Sequence, residues 1–311
     1  MRILIIGGAG FIGSHLVRRC LIDEHEVHVL LRPSTDTSRL DGTLAPAVVH
    51  RLSLVDADAV RACLRTVEPS HIFYLAGNTD RRHDDGLARA CSSLDEPMGL
   101  LTLVEAAAAA EVPPRCLVRT GSIAEYGTAA IPFRETQRER PTNVYAAAIA
   151  AGTHYAQAIA PRLPFPLITA RLGLVYGSGQ AADFLVPSLI SACVEGRAIT
   201  LRRPRDRRDL VHVSDVVEAL CRLAVSDVGS DIINIGSGEA ISVAELAVMV
   251  ATLAKADPDL VHAEPHDHAV TLQLCVERAI ALIGWKPRVG LGDGIAALIT
   301  GHRRQRMGVA A

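Results

Sequence analysis

The chain has 311 residues, 49% of them hydrophobic and 21% charged, which is ample material for a core and rules out a disordered chain. That length is long for one simple domain and short for two independent ones, so a core domain carrying an elaborated lobe is expected. A formal net charge of −2 excludes the basic balance of a nucleic-acid or acidic-membrane partner, and apolar runs such as 1–6 are too short to cross a bilayer. A strand predicted from the first residues leaves no room for a signal peptide. The seven cysteines show neither CxxC nor metal-ligand spacing, so reduced thiols, a cytoplasmic protein and no metal are expected.

Residues 2–6, Arg-Ile-Leu-Ile-Ile, form the continuous apolar run of a strand buried on both faces of a parallel sheet. The run enters Gly7-Gly8-Ala9-Gly10-Phe11-Ile12-Gly13 and then a helical stretch over 14–21. Gly7 allows a tight turn, Gly10 lets backbone approach a pyrophosphate, and Gly13 permits close helix packing over N–H donors at the helix start. Placed between a first strand and a helix, this glycine triplet points to a dinucleotide site. The second strand, 26–31, ends at Arg32. An acidic residue there would bind a ribose 2′-hydroxyl. The inverted charge suits a 2′-phosphate, so NADP(H) is expected, with NAD the alternative. Arg39 is a second candidate for the same phosphate.

Further strands are predicted over 47–52, 71–75 and 115–120, with helices between them. The turn Ala76-Gly77-Asn78 follows the 71–75 strand, and an alanine-rich helix is expected over 97–110. The strand at 115–120 leads into Gly121-Ser122-Ile-Ala-Glu125-Tyr126-Gly127, and Pro141-Thr-Asn-Val-Tyr145-Ala-Ala-Ala-Ile149 follows. Later landmarks are Arg171-Leu-Gly-Leu-Val-Tyr176-Gly177, Arg208-Asp209-Leu-Val-His212-Val-Ser-Asp215, Asn234-Ile-Gly236-Ser-Gly238 and Gly284-Trp285-Lys-Pro287.

Together these segments resemble the extended short-chain dehydrogenase/reductases, in particular nucleotide-sugar 4-ketoreductases and 4-epimerases. The resemblance covers nearly the whole chain. It implies a doubly wound parallel sheet, with a Rossmann domain over 1–165 and 166–311 forming mainly a smaller substrate lobe. Segments around 208–235 are expected to return to the first domain. It implies that Tyr145 moves a hydroxyl proton and that Ser122 hydrogen-bonds the oxygen being reduced or oxidised. Cofactor contacts are implied at Gly7, Gly10, Phe11, Ile12, Gly13, Arg32, Leu54, Leu75, Ala76, Gly77, Thr120, Tyr145 and Leu172. Substrate contacts are implied at Asn78, Glu125 and Arg208. The resemblance also implies a homodimer built from the helices near 97–110 and 142–160.

Several positions depart from the family pattern. Ile149 stands where the family has a Lys one helical turn after Tyr145, on the same face. A tyrosine ordinarily titrates near ~10. A neighbouring ammonium lowers that value, whereas an aliphatic side chain supplies no attraction and adds desolvation. Leu174 replaces an Asn near the substrate diphosphate, Glu264 stands where an Arg would grip it, Ser53 replaces an adenine-contacting Asp, and Glu96 replaces an Asn. Arg202, Arg203, Arg205 and Arg207 crowd before Arg208, as an anion grip or as a solvated loop. The cluster His262, His266 and His268 lacks a preorganised ligand frame. The expected function is hydride transfer at a sugar carbon of a nucleotide sugar, most like a 4-ketoreductase. The alternative is a catalytically silent NADP-binding relative, a sensor or partner subunit; a knockout engineered at 149 would give the same sequence.

Overall fold

The computed structural model describes residues 1–40, 47–77, 94–265 and 268–306. Seven parallel strands make the central sheet: β1 (Arg2–Ile6), β2 (Glu26–Leu31), β3 (Val48–Arg51), β4 (His71–Tyr74), β5 (Cys116–Ser122), β6 (Leu167–Leu172) and a last strand, Ile232–Ile235. From the last strand the order runs β6, β5, β4, β1, β2, β3, so connectivity reverses between β1 and β4. In such sheets ligands bind at that reversal, outside the carboxyl ends of the strands.

Helices cover both faces, which is why β6 is buried at every position and β1 at every position after Arg2. On one face α1 (Phe11–Ile22) and the helix Val213–Ala224 enclose a core with Ile3, Ile5, Val29 and Val118. On the other, α2 (Ala57–Val67), α3 (Asp95–Ala108) and α4 (Val144–Ile159) cover Leu4, Ile6, Ile72 and Leu117. Each fully buried aliphatic side chain contributes roughly 1.5–3 kcal/mol.

β6 lies past residue 165 and pairs with β5 from Leu117↔Leu167 to Ser122↔Leu172. After β6 the chain alternates between the two bodies. The helix Leu185–Glu195 builds the lobe, Val213–Ala224 and Ile232–Ile235 return to the sheet, and Val243–Ala254 and Leu291–Arg306 complete the lobe.

Two buried aspartates hold these crossings. Asp209 accepts from the Ser237 amide and hydroxyl at 2.6 and 2.7 Å and from the amides of Gly238 and Leu274 at 3.1 Å. Asp215 accepts from the Val289 amide at 3.0 Å, and its carbonyl accepts from the Trp285 indole at 3.0 Å. The later sequence landmarks are therefore largely joints of the fold.

Candidate active site

The glycine turn after β1 forms a cradle at the sheet reversal. Gly7 has φ +79°, and a Cβ there would come within 2.9 Å of the Leu75 carbonyl oxygen. A Cβ on Gly13 would run into the Gly7 carbonyl, so only glycine lets α1 sit this close to the turn. Gly10 is the exposed N-cap of α1 and supplies no side-chain cap. The first-turn amides, at Phe11 and Ile12 among them, have no partner within the helix and suit an anionic group. These residues fit the pyrophosphate of a dinucleotide.

Around the cradle, Leu75 and Ala76 are half-buried and Gly77 is exposed with open space about it. Leu54 is half-buried beside Gly99, Thr120 is half-buried on β5, and Leu172 is buried at the end of β6. Arg32 is exposed just past β2. Its loop is braced by Arg51, whose Nη1 donates to the carbonyls of Pro33 and Thr35 at 2.9 and 3.1 Å. Arg39 is turned to the lobe, its Nε donating to the Gly179 carbonyl at 3.1 Å.

Ser122 ends β5 and caps the 3₁₀ turn Ile123–Tyr126. Its hydroxyl oxygen accepts from the Ala124 amide at 3.1 Å, which leaves its O–H as a donor. Tyr145 lies in the first turn of α4, whose start is set by Asn143: the side-chain oxygen accepts from the Ala146 amide at 2.8 Å. Helix α4 packs on β5, on the 3₁₀ turn and on α3. Ile149 is buried one turn past Tyr145.

The structure places Glu125, expected at the substrate, inside the protein. The residue is fully buried and both its oxygens are engaged inside the protein. Oε1 accepts from the Ser122 amide at 2.8 Å, while Oε2 accepts from the Thr153 hydroxyl at 2.8 Å and Arg171 Nε at 2.9 Å. The signal was present in the sequence: Ser122-x-x-Glu125 is a capping box.

A chain of buried charge extends from this point. Arg171 also donates to Glu139 and lies 4.6 Å over the Tyr126 ring. Arg119, fully buried, donates to the Thr153 hydroxyl at 2.7 Å and to Glu96 at 3.2 Å. Burial pushes the Glu96 carboxyl above its ordinary value, and Arg119 works against that shift. Arg119 and Thr153 went unmarked in the sequence, because neither belongs to a local motif.

Arg208 is partly engaged within the protein. It donates to Asp206 at 2.6 Å and to the carbonyls of Arg207 and Val270 at 3.1 and 3.0 Å. Asp206 also pairs with Arg203 at 2.8 Å and Arg207 donates to the Ala240 carbonyl, while Arg202, Arg203, Arg205 and Arg207 all stay exposed to solvent. Arg208 lines an open cavity of about 580 Å³ with His212, Ser237, Glu239 and Arg288. Neither Ser122 nor Tyr145 lines it. Glu264 is exposed and Leu174 half-buried. Asn78 and His266 lie outside the described residues. Among the described residues there is no group of three or more His, Cys, Asp or Glu able to hold a metal, and no helix is long and apolar enough to cross a membrane.

A profile of the NAD dependent epimerase/dehydratase family matches residues 3–236. The chain belongs to this family. The family's members are NAD-dependent enzymes of nucleotide sugars, and the expectations of family, fold and enzyme hold. A UDP-glucose 4-epimerase of Mycolicibacterium smegmatis is 32% identical, over 98% of this chain and 99% of the relative. The UDP-glucose 4-epimerase of Thermus thermophilus, solved with NAD, superposes with a TM-score of 0.84 at 28% identity, covering 97% and 99% of the two chains. MoeE5, solved with UDP-glucose and NAD, gives 0.85 at 28% identity, covering 98% and 100%.

Proposed function

We propose that this family member moves hydride between a bound nicotinamide dinucleotide and a ring carbon of a nucleotide sugar, most like a nucleotide-sugar 4-ketoreductase. The bound dinucleotide supplies or accepts the hydride. Tyr145 gives or takes the hydroxyl proton and Ser122 donates a hydrogen bond to the same oxygen. The observation that carries this reading is local. Glu125 fixes the turn of Ser122 and Asn143 fixes the start of the Tyr145 helix, and that helix packs on that turn.

The relatives support the substrate class, since all three are named for UDP-glucose or solved with it. Arg32 favours NADP(H) over NAD(H), because an exposed guanidinium past β2 suits a 2′-phosphate. A homodimer through α3 and α4 is supported by Met98 and Tyr155, which are 54% and 51% exposed on these adjoining helices. The described cysteines are free thiols, which fits the reducing cytoplasm.

The test is cofactor turnover with a panel of UDP- and dTDP-linked sugars and their 4-keto forms, in both directions, for wild type and Tyr145→Phe. Turnover abolished by Tyr145→Phe is expected. Turnover that survives it would remove Tyr145 from the role.

A further inference from the structure

Ser122 and Tyr145 come from different elements, so a reaction that uses both needs their separation fixed. The side chains that join those elements are buried and run in one line. Arg119, on β5, donates from Nη1 to the Thr153 hydroxyl at 2.7 Å. The Thr153 hydroxyl donates to Glu125 Oε2 at 2.8 Å, and Glu125 Oε1 holds the Ser122 amide at 2.8 Å. Arg119, Glu125 and Thr153 are all fully buried.

Thr153 lies one turn beyond Ile149 on the same stripe of α4. The Ile149 carbonyl is a weaker, second acceptor for both neighbours, at 3.3 Å from the Thr153 hydroxyl and 3.5 Å from Arg119 Nη2. A hydroxyl has one proton to give, and the shorter contact assigns it to Glu125. Thr153 thus receives a charged hydrogen bond from β5 and passes one from α4 to the Ser122 turn. In a water-free interior such a line holds its members to one geometry, because each unmade bond is costly.

We infer that Thr153 is a positioning residue, its hydroxyl coupling the Tyr145 helix to the Ser122 turn through Arg119 and Glu125. The inference rests on the catalytic reading of Ser122 and Tyr145 given above.

The test compares wild type with Thr153→Val, which keeps the shape and deletes the hydroxyl, and Thr153→Ser, which restores it. Thr153→Ala serves as the second deletion if the valine variant does not fold. Amide hydrogen exchange on the full chain should quicken in Thr153→Val both over 121–126 and over 143–149, and return to wild-type rates in Thr153→Ser. With a nucleotide sugar that wild type turns over, kcat should fall about tenfold or more with KM little changed, as small misplacement of a reacting group predicts. Quickened exchange confined to 149–153, or an unchanged kcat, would overturn the inference. If wild type turns over no nucleotide sugar, the catalytic reading fails, while the two exchange segments still decide whether Thr153 couples helix and turn.

Discussion

Glu125 holds the backbone of Ser122, its Oε1 accepting from the Ser122 amide at 2.8 Å while Oε2 faces Arg171 Nε at 2.9 Å. One carboxylate thus shapes the turn that presents the serine hydroxyl and neutralises a buried guanidinium. Glu125→Leu would leave Arg171 buried with only Glu139 as anion, and removing one partner of a buried pair costs about 3–5 kcal/mol. Urea unfolding should show a loss of that size. A loss below about 1 kcal/mol, the range of an exposed pair, would contradict the role.

Ile149 offers a test of the proton path. An ammonium near a phenol favours the phenolate, and each unit of lowered pKa corresponds to about 1.4 kcal/mol. Ile149→Lys should therefore raise turnover at pH 7 by about tenfold or more and move the rise in rate toward lower pH. Brisk wild-type turnover left unchanged by Ile149→Lys would mean that another group carries the proton. Tight cofactor binding by both proteins with no turnover would point to a silent relative.

Arg32 is exposed at the end of β2, on a loop braced by Arg51. Wild type should bind NADPH more tightly than NADH. Arg32→Ala should weaken NADPH by about tenfold or more, the loss of a charge-assisted contact, while NADH changes little. Fluorescence titration reads both. Equal affinities in wild type would refute the preference.

His15 links α1 to the lobe, its Nε2 donating to the Ser178 carbonyl at 2.9 Å. Burial pushes its pKa below the ordinary histidine value; the Ser178 carbonyl pulls the other way and Arg18 adds to the drop. The unfolded chain takes up this proton near ~6.5, and the folded chain does so only at lower pH. Between those values the unfolded state binds more protons, so stability rises with pH. This contribution is lost as pH falls below about 6.5. Urea midpoints from pH 7.5 to 5.5 should fall less steeply in His15→Gln than in wild type, and parallel profiles would count against the assignment.

The adjoining faces of α3 and α4 should close a homodimer. Sedimentation at micromolar concentration is expected to show a dimer, and Met98→Glu with Tyr155→Glu should dissociate it. A monomeric wild type would sink the proposal.

The sheet and the glycine turn are legible in the amino-acid order alone, because each is written in short-range patterns, whereas Ser122 and Tyr145 are assigned by the resemblance. The apolar runs of β1 and β2 and the glycines between β1 and α1 all depend on neighbours a few residues away. The capping box of Ser122 and Glu125 was equally legible, yet the resemblance assigned that glutamate to substrate.

Where the buried charge runs is a matter of three-dimensional packing. Arg119 is 34 residues from Thr153, and Glu125 is 46 from Arg171, and no periodicity marks such pairs. Their partners are set by the order in which the strands stack, which brings β5, β6 and α4 together. The same holds for β6, which lies past residue 165 and belongs to the sheet. A strand's membership in a sheet depends on the neighbour it hydrogen-bonds, here β5, and that neighbour lies 45 residues before it in the chain by the separation of Ser122 from Leu167.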